Sequence, residues 1–337
     1  MPQYLYYYFT SNTVQSVIED KSDGSTKQKE LATATVKTYL VPIPPLMEQK
    51  RIIAKIEHLF PLVDRYDAGQ EQLKVLDSSI RELLKKSVLQ DAIRGKLVPQ
   101  DSNDASAAYL LNNIKAEKER LIKEKIIKQD KANSIIYKGD DNKYYEQVGG
   151  KTIDLTDEIP FDIPESWAWT RLGAIVSMSI GKTPSRTKPE YWKDSVHPWV
   201  AISDMTTYGR LSSTKERVSE LGAAQIGTLR PAGSLLMSFK LTVGKTAILD
   251  IPAYHNEAIV TITPLCDTDQ HLRNYLFLTL PLISQSGDTK DAIKGKTLNS
   301  TSLHNLLIPV PPYDEIHRIN LRIQQLFELL DNPVDLR

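Results

Sequence analysis

Apolar residues recur every three or four positions along residues 46–97, from Ile52 and Ile56 to Leu83. This spacing places them on one side of a helix and is typical of a coiled-coil seam. We therefore predict one long helix over 46–97, ended by the Gly-Lys-Leu-Val-Pro stretch at residues 95–99. A long helix in the core of a bundle is the alternative. The predicted seam consists of Ile52, Ile56, Leu59, Val63, Leu73, Leu76, Ile80 and Leu83.

A shorter helix with the same spacing is predicted near the end of the chain, over residues 313–332. Its seam consists of Ile319, Ile323, Leu326 and Leu330. Another helix is expected over residues 103–133, where Lys and Glu are interspersed, and such a run usually forms a solvent-facing surface. Residues 134–160 are polar and rich in Gly and Asp. We expect them to form a linker.

Residues 161–312 differ from these helical segments, because short apolar runs alternate with Gly, Pro and Ser turns. Such runs favour β-strands, and helices are expected near residues 219–226 and 270–282. We predict a mixed α/β (α+β) domain of about 150 residues, an ordinary domain size. The predicted strands are Ala174–Met178, Trp199–Ile202, Ser234–Phe239, Ala247–Leu249 and Ala258–Thr263.

One sequence pattern occurs twice. Leu40 begins the run Leu-Val-Pro-Ile-Pro-Pro, and Leu307 begins Leu-Ile-Pro-Val-Pro-Pro. Glu, Arg, Ile, Leu, Phe and Asp follow both runs at identical spacing. The copies lie much farther apart than the 20–50 residues of solenoid repeats. The pattern therefore marks the end of a duplicated module in which a domain, a proline stop and a helix follow one another.

Composition narrows the class of protein. The chain has 337 residues, of which 41% are hydrophobic, so a sizeable core can be buried. Its 42 basic and 42 acidic residues give no net charge, which argues against a generic polyanion binder but leaves a local basic groove open. One cysteine excludes an internal disulfide and fits a reducing, cytoplasmic compartment. The sequence shows neither a membrane-spanning apolar run nor a signal-peptide pattern.

Sequence motifs for catalysis are absent. Gly-Lys-Thr occurs three times, but a phosphate-binding P-loop needs a further glycine upstream. Val176, Phe239 and Lys290 stand at those positions. Neither a Gly-x-Ser-x-Gly nucleophile turn nor zinc-ligand spacing is present. Val310 replaces the Asn or Asp of an amino-methyltransferase motif before Pro311-Pro312-Tyr313. The chain is therefore interpreted as a binding protein rather than an enzyme.

Several short motifs in a fixed order resemble the specificity (S) subunit of type I restriction–modification systems. Each motif is weak alone, whereas their order is specific and covers nearly the whole chain. The motifs are Ile43-Pro44-Pro45-Leu46, Gly95-Lys96-Leu97-Val98-Pro99-Gln100-Asp101, Ile163-Pro164-Glu165-Ser166-Trp167, Gly181-Lys182-Thr183-Pro184-Ser185, Pro198-Trp199-Val200, Gly233-Ser234-Leu235-Leu236, Gly244-Lys245 and His255-Asn256.

The resemblance implies two target recognition domains, each followed by a long helix, with the helices packed antiparallel. In this chain the first domain is expected to be cut short, which gives a truncated, half-size subunit with one complete target recognition domain. The expected segments are 1–45 (tail of a first recognition domain), 46–97 (central long helix), 98–160 (charged helix and linker), 161–312 (complete recognition domain) and 313–337 (short distal helix).

The resemblance also implies sequence-specific binding to double-stranded DNA, which requires phosphate contacts for register and base-edge contacts for sequence. Arg186 is the candidate reader of guanine and Asn256 of adenine, because these side chains form bidentate pairs with those bases. Thr183, Ser185 and His255 are adaptable donors. The basic residues expected to contact phosphates are Lys182, Arg186, Lys188, Lys193, Lys240, Lys245, Lys290, Lys294 and Lys296.

The partners implied are modification (methyltransferase) subunits and restriction subunits, with no membrane. A second copy of the chain is a further candidate partner. No cofactor is expected on this chain, because S-adenosylmethionine, and ATP with Mg for restriction, would be bound by partner subunits. A non-DNA-binding assembly scaffold, or a silent recombination cassette that donates a recognition domain, is the competing interpretation.

Overall fold

The computed structural model describes residues 2–20, 37, 40–127, 134–240, 242–284 and 299–332. The chain divides into two compact units, residues 1–80 and 81–337. Across the described ranges, no helix is long and apolar enough to cross a membrane.

The five predicted helices all form, but the one expected over residues 103–133 is shorter than predicted and covers Ala107–Lys123. The helices at residues 2–10 and 12–20 were not predicted. The long central helix ends at Ile93, a few residues before the predicted end, and Gly95 follows with a φ of +68°. A left-handed residue of this kind commonly ends a helix. The described helices are α1 (Pro2–Thr10), α2 (Asn12–Asp20), α3 (Leu46–Ile93), α4 (Ala107–Lys123), α5 (Leu172–Ile175), α6 (Glu220–Ile226), α7 (His271–Ile283), α8 (Ser300–His304) and α9 (Tyr313–Asp331).

Thirteen strands form four sheets within the described residues, and all lie in the unit of residues 81–337. Their bounds are β1 (Ser134–Lys138), β2 (Tyr144–Val148), β3 (Lys151–Asp154), β4 (Ala168–Arg171), β5 (Val176–Ile180), β6 (His197–Val200), β7 (Gly209–Leu211), β8 (Glu216–Val218), β9 (Leu235–Ser238), β10 (Thr246–Leu249), β11 (Tyr254–His255), β12 (Ile259–Pro264) and β13 (Leu307–Val310).

The largest sheet has the strand order β5-β12-β9-β10-β7, antiparallel except for the parallel pair of β10 and β7. A second sheet, β11-β6-β8, combines a parallel and an antiparallel pair. The five predicted strands each correspond to one of these strands, with ends that shift by up to two residues. The predicted mixed α/β architecture is therefore confirmed.

The expected linker over residues 134–160 was wrong in part, because β1, β2 and β3 form an antiparallel sheet there. Arg171 of β4 connects this sheet to the rest of the unit. Its Nε donates to Glu146 Oε1 at 3.0 Å and its Nη2 to Oε2 at 2.6 Å. A further N–H donates to the carbonyl oxygen of Asn305 at 2.8 Å.

The core of the second unit lies between the five-stranded sheet and its helices. Buried side chains of α7 and α9 pack there with the last turns of α3. Trp167, Trp169 and Trp199 are 6%, 2% and 2% exposed, so all three belong to the interior.

The last turns of α3 run antiparallel to α9. Lys85 Nζ lies 2.5 Å from Asp331 Oδ1 at the end of α9. Gln100, after α3, donates from Nε2 to Glu315 Oε1 at 2.6 Å, near the start of α9. Trp167 Nε1 donates to the other oxygen of this buried carboxylate at 2.9 Å. These contacts fix where the second copy of the repeated pattern lies in the unit.

In the first unit, α1 packs beside the first copy of the pattern. The hydroxyls of Tyr4 and Tyr8 donate to the carbonyl oxygens of Pro42 and Leu40, each at 2.9 Å. The ring of Tyr7 lies edge-on to Phe60 with 5.6 Å between centroids. The aromatic cluster near the N-terminus therefore packs on the Pro-rich segment and the start of α3.

Candidate nucleic-acid interface

Three polar segments meet at one edge of the five-stranded sheet. The 181–192 loop follows β5, the 255–258 turn joins β11 to β12, and Lys240 lies just after β9. These strands are neighbours in the sheet, and Ile180 of β5 and Ser238 of β9 lie at the same edge as Ile259, the first residue of β12. Sequence-distant motifs are thereby brought together.

Gly181 forms the contact between the 181–192 loop and the 255–258 turn. Its N–H donates to the carbonyl oxygen of Ile259 at 3.2 Å, and the N–H of Lys182 donates to that of His255 at 3.0 Å. A Cβ atom at Gly181 would overlap the carbonyl oxygens of His255 and Asn256. The absence of a side chain therefore lets the two segments pack backbone to backbone.

Glu257 lies among the predicted basic residues. The hydroxyl of Thr183 donates to its carboxylate. This hydrogen bond, assisted by the charges of Lys240 and Arg186, lowers the pKa of Glu257. The carboxylate is therefore ionised at neutral pH, and these three predicted residues lie around it.

Arg186 is the most firmly held of the predicted residues. Its Nη1 lies 2.6 Å from Glu216 Oε1, and its Nη2 lies 2.8 Å from Oε2. The guanidinium carbon lies 3.7 Å from the centroid of Trp192 and 5.1 Å from that of Trp199. The hydrogen bonds from Arg186 lower the pKa of Glu216, and those to Glu216 raise the pKa of Arg186.

His255 lies inside the domain, with 3% of its surface exposed. Its Nε2 is 2.6 Å from Thr261 Oγ1, and burial lowers its pKa to about 4. The imidazole is therefore neutral at physiological pH and packs beneath the turn. This position does not suit a side chain that reads a base edge.

The other predicted residues differ in their exposure and in whether their side chains already form hydrogen bonds within the protein. Lys182 is exposed, whereas Lys245 is half-buried and donates from Nζ to the carbonyl oxygen of Met205 at 2.9 Å. Lys188 Nζ lies 3.3 Å from the hydroxyl of Tyr191. Ser185 Oγ lies 2.8 Å from Thr187 Oγ1, and Asn256 Oδ1 accepts from the N–H of Ala258 at 3.1 Å. Lys290, Lys294 and Lys296 lie outside the described residues.

Sequence reasoning missed the acidic and aromatic partners of this interface. Glu216 follows Arg186 by 30 positions, and only the pairing of β8 with β6 places it beside the 181–192 loop. Glu257 immediately follows the His-Asn motif. A carboxylate at this position was the one local signal that the 255–258 turn would lie close to basic side chains. Trp192, whose ring lies against the Arg186 guanidinium, is half-buried.

The predicted helical seams are divided between surface and core. In α3, Ile52 and Ile56 are half-buried. The later seam residues are between 41% and 66% exposed, namely Leu59, Val63, Leu73, Leu76, Ile80 and Leu83. In α9, Ile319 and Ile323 are buried in the core of the second unit, and Leu326 and Leu330 are half-buried.

Comparison with known proteins identifies the family to which this chain is similar. A family model described as the type I restriction modification DNA specificity domain matches residues 2–72 and 164–332. The EcoAI specificity subunit of Escherichia coli is 30% identical over 261 residues, which is 61% of this chain and 41% of that protein. The EcoBI specificity subunit of Escherichia coli is 22% identical over 315 residues, or 92% of this chain and 56% of that protein.

A solved structure described as "Structural basis underlying complex assembly and conformational transition of the type I R-M system" has the same fold. It aligns with a TM-score of 0.50 and 16% identity, over 98% of this chain and 64% of that one. This chain thus spans 41% and 56% of the length of the EcoAI and EcoBI proteins. The family model covers more than half of the chain, including the 181–192 loop and the 255–258 turn. The chain therefore belongs to the type I restriction modification DNA specificity domain family.

Proposed function

We propose that this chain is the DNA-recognising component of a type I restriction–modification complex and selects the site for adenine methylation and restriction by its partner subunits. The observation that carries the proposal is the family match over 164–332, the region that contains the polar edge of the five-stranded sheet. The chain itself is non-catalytic in this proposal and acts in the cytoplasm. S-adenosylmethionine, and ATP with Mg, are bound by partner subunits.

The charges and exposure at the sheet edge support a double-stranded DNA ligand. Lys182 and Lys188 are exposed and Lys240 is half-buried, and we assign them to phosphate contacts, which fix the register of a protein on the duplex. Arg186, Ser185 and Asn256 lie on the same two segments, the 181–192 loop and the 255–258 turn, and are the candidates for base contacts.

The exposed seam of α3 is the proposed contact surface for modification subunits or a second copy of the chain. Large apolar side chains repeated along one helix are suited to burial against another protein. Two copies would present two identical recognition domains, and the target would then be an interrupted palindrome. A protein that stays monomeric and binds a single modification subunit, as measured by native mass spectrometry, would contradict the proposed pairing.

The proposed function is tested by co-expression with the cognate modification subunit, followed by sequencing of modified positions in the host genome. We expect adenine methylation at a defined motif. A variant with Lys182→Glu and Lys188→Glu should lose most methylation, because two like charges then face the phosphates. Lys151→Glu, an exposed position on β3, is the matched control and should leave the pattern unchanged.

Each outcome separates the proposed function from its competitor. A soluble complex that leaves the genome unmethylated would contradict DNA recognition and favour an assembly scaffold. Methylation that survives both charge reversals would show that the sheet edge is not the phosphate-contacting surface.

A further inference from the structure

The guanidinium of Arg186 keeps one hydrogen-bonding edge available. Glu216 accepts from Nη1 and Nη2, which is the end-on arrangement. The side-on edge consists of Nε–H and the second N–H of Nη2. No described residue accepts a hydrogen bond from this Nε. A guanine accepts two parallel hydrogen bonds at O6 and N7, and an arginine edge with two N–H groups fits that pair.

Aromatic contacts fix the plane of the same guanidinium. The ring of Trp192 lies 3.7 Å from the guanidinium carbon, and the rings of Trp192 and Trp199 meet edge-on at 5.2 Å. An exposed arginine would lose side-chain entropy on binding a base, whereas one that is already fixed loses much less. The side chain is therefore set in place before DNA arrives.

Glu216 owes its position to a strand rather than to the loop. It lies in β8 opposite Trp199 of β6, so two residues that contact Arg186 are cross-strand partners. The side chains of Arg186 and Glu216 are 51% and 41% exposed, which leaves the pair at the surface. Since Trp192 Nε1 also donates to the carbonyl oxygen of Ser185 at 3.2 Å, the loop and the sheet hold the arginine jointly.

We propose that Glu216 and Trp192 are positioning residues that present the Nε–Nη2 edge of Arg186 to a guanine in the major groove. This inference rests on the proposed function and deepens it, because it assigns one G·C pair of the recognised half-site to Arg186. Glu216 does not touch the base. It fixes the orientation of the residue that does.

The test compares methylated motifs in hosts that express the modification subunit with wild-type chain, Glu216→Gln, Arg186→Lys or the double variant. One guanine position should lose about tenfold of its preference in Glu216→Gln, equivalent to about 1.4 kcal/mol. In the Arg186→Lys background, Glu216→Gln should change that position no further, because its effect passes through the arginine. Trp192→Phe, which retains a smaller ring, should give an intermediate loss.

Asp250→Asn is the matched control, since Asp250 pairs with Arg210 in the same domain without a tryptophan stack. It should retain the wild-type motif. The affinity of Glu216→Gln for a random-sequence duplex, measured by fluorescence anisotropy, should stay within about twofold of the wild-type value. Non-specific binding depends on phosphate contacts, which this substitution leaves in place.

Three outcomes would overturn the inference in distinguishable ways. An unchanged motif in Glu216→Gln, with the wild-type chain active, would refute the positioning role alone. A uniform loss across all sequences, with a smaller salt dependence in Arg186→Lys, would assign Arg186 to a phosphate. Absence of any motif with the wild-type chain would contradict the proposed function, and the inference with it.

Discussion

His255 is a buried titratable residue beneath the 255–258 turn. Its pKa falls from 6.5 to about 4 because burial disfavours the charged imidazolium. Between these two values the unfolded chain binds a proton that the folded chain does not, so folding stability falls as the pH drops. The full contribution of the neutral imidazole is present above pH 6.5.

We expect the free energy of unfolding to decrease by about 2 kcal/mol between pH 7 and pH 5 from this residue alone. Urea unfolding of the full chain at both pH values measures the decrease. The variant His255→Gln, which cannot be protonated, should lose this component of the pH dependence. An identical pH dependence in both proteins would show that the imidazole is not buried as described.

Gly181→Ala should disrupt the backbone contact between the loop and the turn. Its Cβ would overlap two carbonyl oxygens, which belong to backbone that cannot swing away. We expect a loss of about 1–3 kcal/mol in the free energy of unfolding, the range for steric strain in a packed site. Chemical denaturation of the purified chain gives the value.

Gly69→Ala is the matched comparison for that substitution. Gly69 lies within α3, and a Cβ there meets no atom within 4 Å. Alanine should therefore stabilise the helix by about 0.5–1 kcal/mol. If both glycine variants changed stability alike, the steric explanation for Gly181 would fail.

At the scale of elements, the sequence pattern identified five helices and four of the five strands of the main sheet, but it missed α1, α2, β7 and the sheet of β1, β2 and β3. The strands of this last sheet carry mostly exposed side chains, with Lys, Asp and Gln among them, so no apolar alternation marked them. Their attachment depends on Glu146 and Arg171, whose side chains are 7% and 14% exposed. A salt bridge between distant residues leaves no local pattern in a sequence.

Arg171→Met should therefore loosen the β1–β3 sheet. Removing one member of a buried pair leaves the Glu146 carboxylate without its cation, at a cost of about 3 kcal/mol. Hydrogen exchange of the β1 and β2 amides should accelerate. Arg120→Met is the control, because its ion pairs with Glu117 of α4 and with Glu124, just after α4, are solvent-exposed, so its loss should change stability far less.

The two copies of the repeated pattern differ in secondary structure, so the local sequence alone does not determine whether a strand forms. Leu307–Val310 is the buried strand β13, paired with β4. In the first copy Leu40 and Ile43 are 90% and 78% exposed and belong to no strand. The same residue pattern therefore forms a strand only where a neighbouring strand is available to pair.

At the scale of the whole molecule, the zero net charge does not reveal the sheet edge where Lys182, Arg186, Lys188 and Lys240 lie together with the carboxylates of Glu216 and Glu257. Sequence reasoning selected the two segments that meet there, because both carry short motifs in a recognisable order. It did not identify the acidic residues that organise them. Long-range pairing in the folded domain creates those contacts.

Under the proposed function, DNA binding by the assembled complex weakens steeply with salt, and Lys182→Gln should reduce the slope of log K against log salt by about 0.9. Each phosphate contact that is lost lowers by about one the number of counterions that the DNA releases when the protein binds. Anisotropy titrations at several salt concentrations measure the slope. Lys151→Gln should leave it unchanged, and an unchanged slope for Lys182→Gln would mean that this lysine contacts no phosphate.

Under the proposed function, the close approach at Gly181 also constrains how new target preferences arise in evolution. The backbone of the 181–192 loop is hydrogen-bonded to the backbone of the 255–258 turn and the start of β12. If only one of these segments were replaced, the new segment would have to pack against a neighbour that had evolved with the earlier one. A change of target by point substitution in a single loop must therefore preserve this backbone contact. Exchange of the entire domain would carry both segments together and so keep this backbone contact intact.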